Sequence, residues 1–452
     1  MEGFKKLSNK KYILRRGGVW DMKYYSTNKQ SSTVDFKEAA IKGQAPDKGL
    51  YFPERIPQVD REVIEKIETF SNEEIAFRII KPYIGNSIPD DQLFSIIKET
   101  VNFPIPLVKV NENIFSLELF HGPTLAFKDV GARFMSRCLG YFLKGEEKRV
   151  TVLVATSGDT GGAVANGFYN VDGIDVVILY PSGKVSPVQE KQLTTLGKNI
   201  HALEVNGTFD DCQRMVKQAF ADTDLNKQMF LTSANSINVA RWLPQQFYYF
   251  FGYKQWADKE NPPVICVPSG NFGNICAGIL ASATGLPVRH FIAACNVNDI
   301  VSDYLVTEVL KSKQAVPTLS NAMDVGNPSN FVRILEIFQH QFPKLKSKLS
   351  SYTIGDDDTL TTIKEVYEKY NYLLDPHGAV GYLSLKKYLE TAPGAKGIFL
   401  ETAHPVKFPD AVEKVTGKTI ELPASLENIM FREKKSVKMK GEYNELKNYL
   451  LG

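Results

Sequence analysis

From about Val150 onward, the chain alternates short runs of β-branched and apolar residues with segments of helical hydrophobic spacing, joined by Gly, Ser or Pro. Val150–Ala155 is typical of a buried strand, and further strands are predicted at residues 175–179, 201–205, 229–232, 264–267, 291–295 and 398–400. Strands that alternate with helices pair in parallel and are covered by helices on both faces. The pattern therefore predicts an α/β fold whose ligands bind at the carboxyl ends of the strands.

The 452 residues are long enough for two or three domains and are 43% hydrophobic, as in ordinary globular proteins. Residues 22–105 have mostly helical patterns and are predicted to form a separate, mainly helical N-terminal domain. The remainder is predicted to form two doubly wound, mostly parallel-sheet subdomains. These are a small α/β domain over residues 150–245 and a large, ligand-binding domain over residues 106–149 and 246–452. Residues 1–21 are basic, and we expect them to be a disordered extension before a folded protein that starts near Met22.

Charge and cysteine content exclude several classes of protein. A net charge of +3, with no basic stripe interleaved with aromatic residues, argues against nucleic-acid binding. No apolar run is long enough to span a membrane. The five cysteines are scattered without a C-x-x-C, and the six histidines lack metal-ligand spacing, so neither a disulfide framework nor a metal site is predicted. This composition favours a cytoplasmic protein.

Lys128 is an unusual lysine because it follows the apolar residues Leu125, Ala126 and Phe127 and precedes an amphipathic helix predicted to begin near Val130. Burial against apolar groups removes hydration from an ammonium ion, which lowers its pKa and makes the neutral, nucleophilic amine accessible. Such an amine suits a Schiff-base lysine. A simple ion pair with Asp129 at the start of a helix is the alternative.

Two glycine-containing loops follow predicted strands. Residues 269–274 (SGNFGN) open an apolar helix, and their main-chain N–H groups predict an anion site suited to a phosphate. Residues 157–162 (SGDTGG) have hydroxyl and amide donors that could bind a carboxylate. From the residues alone, an ordinary strand-to-helix turn is the alternative for the first loop, and a helix cap without a ligand is the alternative for the second.

A Schiff-base lysine, a phosphate loop and a carboxylate loop on parallel sheets together resemble the fold type II pyridoxal phosphate enzymes related to the tryptophan synthase β chain. Several segments resemble the motifs of the threonine synthase family, in the same order along the chain. They are residues 45–53, 119–129, 156–162 (TSGDTGG), 233–241 (SANSINVAR), 267–273 (VPSGNFG), 321–325 (NAMDV) and 402–408 (TAHPVKF). The resemblance runs from about Met22 to about Pro423 and is closest to the bacterial and fungal branch with a long N-terminal domain.

The resemblance implies pyridoxal 5'-phosphate as the cofactor, bound in the cleft between the two subdomains, and a role for each matching residue. Lys128 is implied to be the Schiff-base lysine and the base that moves protons at Cα, and Thr402 to face the pyridine nitrogen. The remaining implied cofactor ligands are Ser269, Gly270, Asn271, Phe272, Gly273 and Asn274. The implied substrate ligands are Ser157, Asp159 and Thr160 for the α-carboxylate, and Lys184, Ser236, Asn238 and Arg241 for the leaving phosphate. An ionised Asp159 beside a carboxylate is unfavourable, so we expect either a main-chain contact there or a shifted pKa.

The activity implied by the resemblance is conversion of O-phospho-L-homoserine and water to L-threonine and phosphate by γ-elimination and β-addition. A related lyase, such as a threonine or serine dehydratase, is the alternative within the same cofactor class, and a non-catalytic binding protein is the alternative outside it. We expect a monomer or homodimer with a small-molecule substrate as its partner, and neither nucleic acid nor membrane.

Overall fold

The computed structural model describes residues 21–146 and 149–452 of the chain. The predicted basic extension lies outside the described residues, apart from Asp21. No helix in the described part of the chain is long and apolar enough to cross a membrane.

The larger of two parallel sheets has six strands. In spatial order they are Leu349–Thr353, His290–Cys295, Val264–Pro268, Gly397–Glu401, Ile114–Glu118 and Leu107–Lys109. All neighbours are parallel except the last pair, which is antiparallel. Parallel strands place their carboxyl ends at one edge, so the loops that follow Pro268 and Glu401 lie at the same edge of the sheet.

The smaller sheet has five strands, and all of their pairings are parallel. In spatial order they are Val437–Lys440, Ile200–Asn206, Ile174–Pro181, Val150–Ala155 and Phe230–Thr232. Every residue of Val150–Ala155 is buried, as the continuous apolar run predicts for a strand covered on both faces. The predicted α/β fold with two mostly parallel sheets is therefore confirmed.

The N-terminal region is mainly helical, as predicted, and carries one small antiparallel pair of strands, Tyr24–Ser26 with Tyr51–Pro53. Its helices are Phe36–Lys42, Arg61–Glu65, Asn72–Ile84 and Asp90–Thr100, with a 3-10 turn at Ile67–Thr69. One continuous buried cluster joins this region to both sheets, with Ile79, Phe134, Val152 and Val267 among its members. The N-terminal region is thus packed against the sheets through apolar side chains.

Helices cover both sheets. Those of the smaller sheet are Asp159–Phe168, Pro187–Thr194, Phe209–Ala221 and Thr223–Gln228. Those between or after strands of the larger sheet are Lys128–Leu143, Gly273–Ala283, Ile300–Thr307, Phe331–Ile337, Phe342–Lys348, Asp356–Tyr370, Pro376–Glu390 and Pro409–Thr416, with 3-10 turns at Asn321–Met323 and Pro405–Lys407. The C-terminal helices are Ala424–Met430 and Tyr443–Leu451. The Lys128–Leu143 helix packs against Asp159–Phe168, which brings its first residue close to the loop after Ala155.

The aromatic, helical pattern from Asn238 to Trp256 predicts one long helix, and this prediction is wrong in one respect. The structure divides it into Val239–Trp242, a 3-10 turn at Leu243–Gln245 and Gln246–Gln255. Pro244 lacks an N–H group and its ring clashes with the preceding turn, so the α-helical hydrogen bonding is interrupted there.

The C-terminal strand corrects the predicted assignment of residues 246–452 to the large domain. Val437–Lys440 pairs with Ile200–Asn206 and so belongs to the smaller sheet. Lys434 supports this position, because its ammonium lies 2.6 Å from Glu190 and 2.8 Å from Glu204. The strand is short and exposed at every residue except Met439, and therefore lacks the apolar run that marks the central strands.

Candidate active site

Lys128 begins the Lys128–Leu143 helix and lies between residues of the two sheets. Its Nζ is 3.5 Å from Oδ2 of Asp159, which follows the smaller sheet. The N–H of its neighbour Phe127 donates to the carbonyl of Thr402, which follows the larger sheet, at 3.0 Å. Burial lowers the pKa of Lys128, and the charges of Lys407 and Arg241 lower it further, while Asp159 opposes them. The side chain keeps 16% of its surface exposed, so a ligand can reach the amine.

The alternative of an ion pair between Lys128 and Asp129 is wrong. Asp129 is buried and accepts hydrogen bonds from the main-chain N–H and the hydroxyl of Thr124. These bonds close the turn before the helix, in which Leu125 has a positive φ of 56°. Asp129 therefore fixes the conformation of the segment before Lys128, and the Lys128 ammonium pairs with Asp159 instead.

The loop at residues 157–162 has the geometry of a carboxylate site. Gly158 has φ of 140°, and a Cβ there would lie 2.4 Å from Cδ of Gln189, so only glycine fits. The hydroxyl of Thr156 accepts from the N–H groups of Gly158 and Gly161 at 3.0 and 2.9 Å. Among the described residues, nothing accepts from the main-chain N–H groups of Ser157, Asp159 and Thr160. These free donors stand at the start of a helix, where an anion is favoured.

Asp159 makes the strongest electrostatic contact of the site, and its partner is Lys407. The ammonium of Lys407 lies 2.8 Å from Oδ1 of Asp159, and Gln189 donates to the same oxygen at 3.0 Å. Burial alone would raise the pKa of Asp159, but the charges of Lys407 and Lys128 and these hydrogen bonds bring it well below the usual range. The pKa of Asp159 is thus shifted downward, which favours the ionised form and does not relieve the negative charge beside a bound carboxylate.

Lys407 was missed as a site residue by the sequence reasoning. It is fully buried, whereas Lys128 is partly exposed, so of these two lysines only Lys128 is open to a ligand. One feature of the sequence could have identified this residue. Lys407 is the only lysine or arginine in the motif TAHPVKF, which begins at the predicted site residue Thr402.

The loop at residues 269–274 leads from the strand Val264–Pro268 into the Gly273–Ala283 helix. Among the described residues, no group accepts a hydrogen bond from the six consecutive N–H groups of residues 270–275. Phe272 adopts a left-handed conformation with φ of 59°, which helps to gather these groups into a concave anion site. The side chain of Asn274 is held in place by two hydrogen bonds, since the hydroxyls of Tyr248 and Tyr249 both donate to its Oδ1 at 2.7 Å.

A polar network fixes this loop to the rest of the molecule. Asn271 and Asn330 both donate to the hydroxyl of Ser236, at 2.8 and 2.9 Å. Arg333 is fully buried and donates to Oδ1 of Asn330 at 2.8 Å, to the carbonyl of Ser236 at 3.0 Å and to the carbonyl of Tyr51. Asn330 and Arg333 were not identified from the sequence, because they are brought to the loop only by the tertiary fold.

The residues proposed for the leaving phosphate differ in their placement. Arg241 is buried, its guanidinium donates to the carbonyl of Ala234 at 2.8 Å, and burial lowers its pKa to about 10. Asn238 is fully buried, and its side chain bonds to Ala40 and Ala240, so it caps a helix and is not free to bind a ligand. Lys184 is exposed in the loop after Ile174–Pro181. The structure thus brings Ser236 to the phosphate loop, and it leaves Arg241 as a second buried cation, besides Lys407, whose charge acts on Lys128.

Comparison with known proteins identifies the family. Residues 59–399 match the family described as pyridoxal-phosphate dependent enzyme, and residues 378–450 match the family described as threonine synthase, C-terminal. Threonine synthase of Haemophilus influenzae is 44% identical over 431 residues, which are 95% of this chain and 100% of that protein. The chain belongs to the threonine synthase family.

Solved structures of threonine synthases agree with this assignment. The crystal structure of threonine synthase from Escherichia coli has a TM-score of 0.88 and 41% identity, covering 95% of this chain and 99% of its own. The pyridoxal phosphate-bound threonine synthase from Brucella melitensis has a TM-score of 0.89 and 37% identity, covering 95% of this chain and 98% of its own. As a member of the threonine synthase family, the protein is a pyridoxal phosphate-dependent lyase.

The residues of the candidate active site fit pyridoxal phosphate as the cofactor. The six N–H groups of residues 270–275 that lack an acceptor match a phosphate group, which has several acceptor oxygens and is favoured at the start of a helix. Lys128 offers a partly exposed amine of lowered pKa for the carbonyl carbon of the cofactor. Thr402 directly follows the strand Gly397–Glu401, and its carbonyl accepts from the N–H of Phe127, which places this hydroxyl-bearing residue beside the Lys128 segment.

Glu401, the residue before Thr402, predicts a particular pH dependence of stability. Its carboxyl group is fully buried, and one oxygen accepts from the N–H of Asp375 at 2.8 Å. Burial, followed by the negative charge of Asp375, raises its pKa well above the usual range. The folded protein therefore holds a proton that the unfolded chain loses above pH of about 4.3, and stability falls by about 1.4 kcal/mol per pH unit from there up to the folded-state pKa.

We expect Glu401→Gln to remove this loss. The free energy of unfolding of the variant, relative to that of the wild type, should therefore increase as the pH rises. Urea denaturation at about pH 5 and about pH 7 measures the difference. Glu421→Gln, at an exposed glutamate, is the control and should show no such trend. A difference between Glu401→Gln and wild type that is the same at both pH values would contradict an uncharged Glu401.

Proposed function

We propose that this protein converts O-phospho-L-homoserine and water to L-threonine and inorganic phosphate. The observation that carries the proposal is a buried cation beside the reactive lysine. Arg241 is 3% exposed and forms no ion pair within 4.0 Å among the described residues, and the charge of Asp129 only partly offsets the cost of its burial. A buried guanidinium is costly unless an anion compensates it, and guanidinium binds phosphate by paired hydrogen bonds. Arg241 therefore supports a substrate that carries a phosphate.

The dehydratase alternative accounts less well for this residue. Threonine and serine carry no phosphate, so a dehydratase has no use for a buried cation in addition to the carboxylate loop. Membership of the threonine synthase family also favours the synthase over the dehydratase. We propose Arg241 and the hydroxyl of Ser236 as ligands of the substrate phosphate, with exposed Lys184 as a cation at the entrance.

We propose that the free N–H groups of Ser157, Asp159 and Thr160, with the hydroxyls of Ser157 and Thr160, bind the substrate α-carboxylate. The ion pair with Lys407 supports this role, because it offsets the negative charge that Asp159 would otherwise present to a second carboxylate. The contact to the substrate is then made by the main chain at residue 159, and the Asp159 side chain is directed to Lys407.

In the proposed reaction, Lys128 holds the cofactor and moves protons at the substrate. The cofactor, when bound, supplies an electron sink for the carbanion formed at Cα. Lys128 removes the Cα proton, and a Cβ proton is lost as phosphate departs from Cγ. A proton is then returned to Cγ, water adds at Cβ, and a second proton is returned to Cα. Arg241 offsets the charge that develops on the leaving phosphate. Thr402 offers the pyridine nitrogen a hydroxyl in place of a carboxylate, which favours elimination and replacement over transamination.

The test is a product assay on the purified protein supplied with pyridoxal phosphate. O-phospho-L-homoserine should give L-threonine and inorganic phosphate in equal amounts. L-threonine as the substrate should give little 2-oxobutanoate. A main product of 2-oxobutanoate from threonine, with no phosphate release from O-phospho-L-homoserine, would replace the synthase by a dehydratase.

We also propose the remaining organisation of the protein. Residues 22–105 form the N-terminal domain, residues 106–149 with the chain from 246 to about 423 form the cofactor-binding domain, and residues 150–245 with the C-terminal strand form the small domain.

The five cysteines, all buried and unpaired, support a cytoplasmic location. A monomer or homodimer is proposed, and light scattering of the eluting protein would reveal any larger assembly.

A further inference from the structure

Two lysines share one carboxylate at the centre of the site. Asp159 lies 2.8 Å from Lys407 through Oδ1 and 3.5 Å from Lys128 through Oδ2. Gln189 adds a hydrogen bond at 3.0 Å to the oxygen that already binds Lys407. The carboxylate is therefore bound much more closely by Lys407 than by Lys128.

Lys407 is placed by its own main-chain turn, which is joined to the segment before Lys128 by the hydrogen bond from the N–H of His404 to the carbonyl of Leu125 at 3.1 Å. It ends the 3-10 turn Pro405–Lys407, in which Nδ1 of His404 accepts from the N–H of Val406 at 3.1 Å. Its side chain is fully buried, so no ligand reaches it, and Asp159 is its ion-pair partner among the described residues. A buried ammonium is unfavourable without such a partner, so Lys407 and Asp159 hold each other in the charged state.

The charge of this group decides how easily Lys128 loses its proton. With both lysines protonated, two positive charges face one negative charge. A carboxylate paired only with Lys128 would raise the pKa of that amine, whereas a second cation on the carboxylate offsets the effect. The other charged or titratable groups facing these residues are Arg241, Asp129, whose carboxyl is bound by Thr124, and His404, whose pKa burial and nearby cations lower to about 4.

We propose that Lys407 is a positioning residue that binds the charge of Asp159 and thereby allows Lys128 to lose its proton and bond to the cofactor near neutral pH. The inference rests on the proposed function of Lys128. Lys407 does not touch the reacting atoms. It acts through Asp159, whose carboxylate it binds at 2.8 Å, while the Lys128 amine is only loosely paired with the same carboxylate at 3.5 Å.

The test measures how the attachment of the cofactor to Lys128 depends on pH. This measurement does not require turnover of substrate. Apoprotein is mixed with pyridoxal phosphate at a series of pH values, the bond is trapped by reduction with borohydride, and the modified peptide is quantified by mass spectrometry. Lys407→Met should shift this profile to higher pH by about one unit, so that attachment is about tenfold slower at a given pH below the midpoint. Lys407→Arg, which keeps the charge, should restore most of the wild-type profile.

Two further variants keep the inference open to refutation if Lys407→Met folds poorly. Asp159→Asn removes the carboxylate that stabilises the Lys128 ammonium, and should shift the profile to lower pH by about one unit. The double variant with Asp159→Asn and Lys407→Met should return close to wild type, because both charges are removed together. Melting temperatures of all variants report any purely structural effect.

The outcomes separate this inference from the proposed function. Attachment at a residue other than Lys128 in the wild type would overturn the proposed function itself. Attachment at Lys128 with an unshifted pH profile in Lys407→Met or Asp159→Asn would overturn the role of Lys407, even if the melting temperature falls.

Discussion

Lys128→Ala is expected to abolish threonine formation, with a fall in kcat of at least about a thousandfold, as is typical when a positioned acid–base group is lost. Alanine removes the amine that bonds to the cofactor and moves the Cα proton. The variant should also lose the visible absorbance of the covalently attached cofactor. Threonine formation from O-phospho-L-homoserine and the absorbance spectrum measure the two effects.

The fold should survive this substitution, because the starting residue of the Lys128–Leu143 helix is fixed by Asp129 and Thr124 and not by the lysine. Lys144→Ala, at an exposed lysine at the other end of the same helix, is the matched control and should keep full activity and full absorbance. Lys128→Ala with activity within tenfold of wild type would refute the assignment of Lys128 as the cofactor lysine.

Much of the fold was predictable because it is determined by local patterns. The strand Val150–Ala155 is a continuous apolar run, and all the predicted strands are present with ends that differ by one or two residues. The two ligand loops were predictable for the same reason, since each directly follows such a strand and contains glycine. Parallel pairing then places both loops at carboxyl ends of strands without any knowledge of long-range contacts.

The rest depends on contacts between residues far apart in the sequence. Lys407 meets Asp159 across 248 positions, and Arg333 reaches the carbonyl of Tyr51 across 282. No spacing rule relates such residues. Asn238 was assigned to a ligand because it lies in a motif, but the fold uses its side chain to cap a helix and bind Ala40. A motif thus indicates where a site is, and the tertiary structure decides which side chains in it remain free.

Gly270→Ala is expected to weaken cofactor binding by about tenfold to a hundredfold, by forcing the phosphate loop away from its support. A Cβ at Gly270 would lie 2.6 Å from Cα of Met323 and 2.9 Å from the carbonyl oxygen of Ala322. Both atoms belong to main chain, which cannot turn aside as a flexible side chain can. Overpacking of this kind costs about 1–3 kcal/mol, which corresponds to that loss if it falls on the bound state. Titration of apoprotein with pyridoxal phosphate, followed by absorbance, gives the Kd.

The comparison that isolates this effect is Gly355→Ala. A Cβ at Gly355 meets nothing within 4 Å, and its φ of −84° is allowed for alanine. The same chemical change there should leave both the Kd and the melting temperature close to wild type. The phosphate loop is held by Asn271 and Ser236 on one side and by Met323 on the other, so Gly270→Ala must displace N–H groups that have no other acceptor. A Kd for Gly270→Ala equal to that of Gly355→Ala would mean that the cofactor phosphate is bound elsewhere.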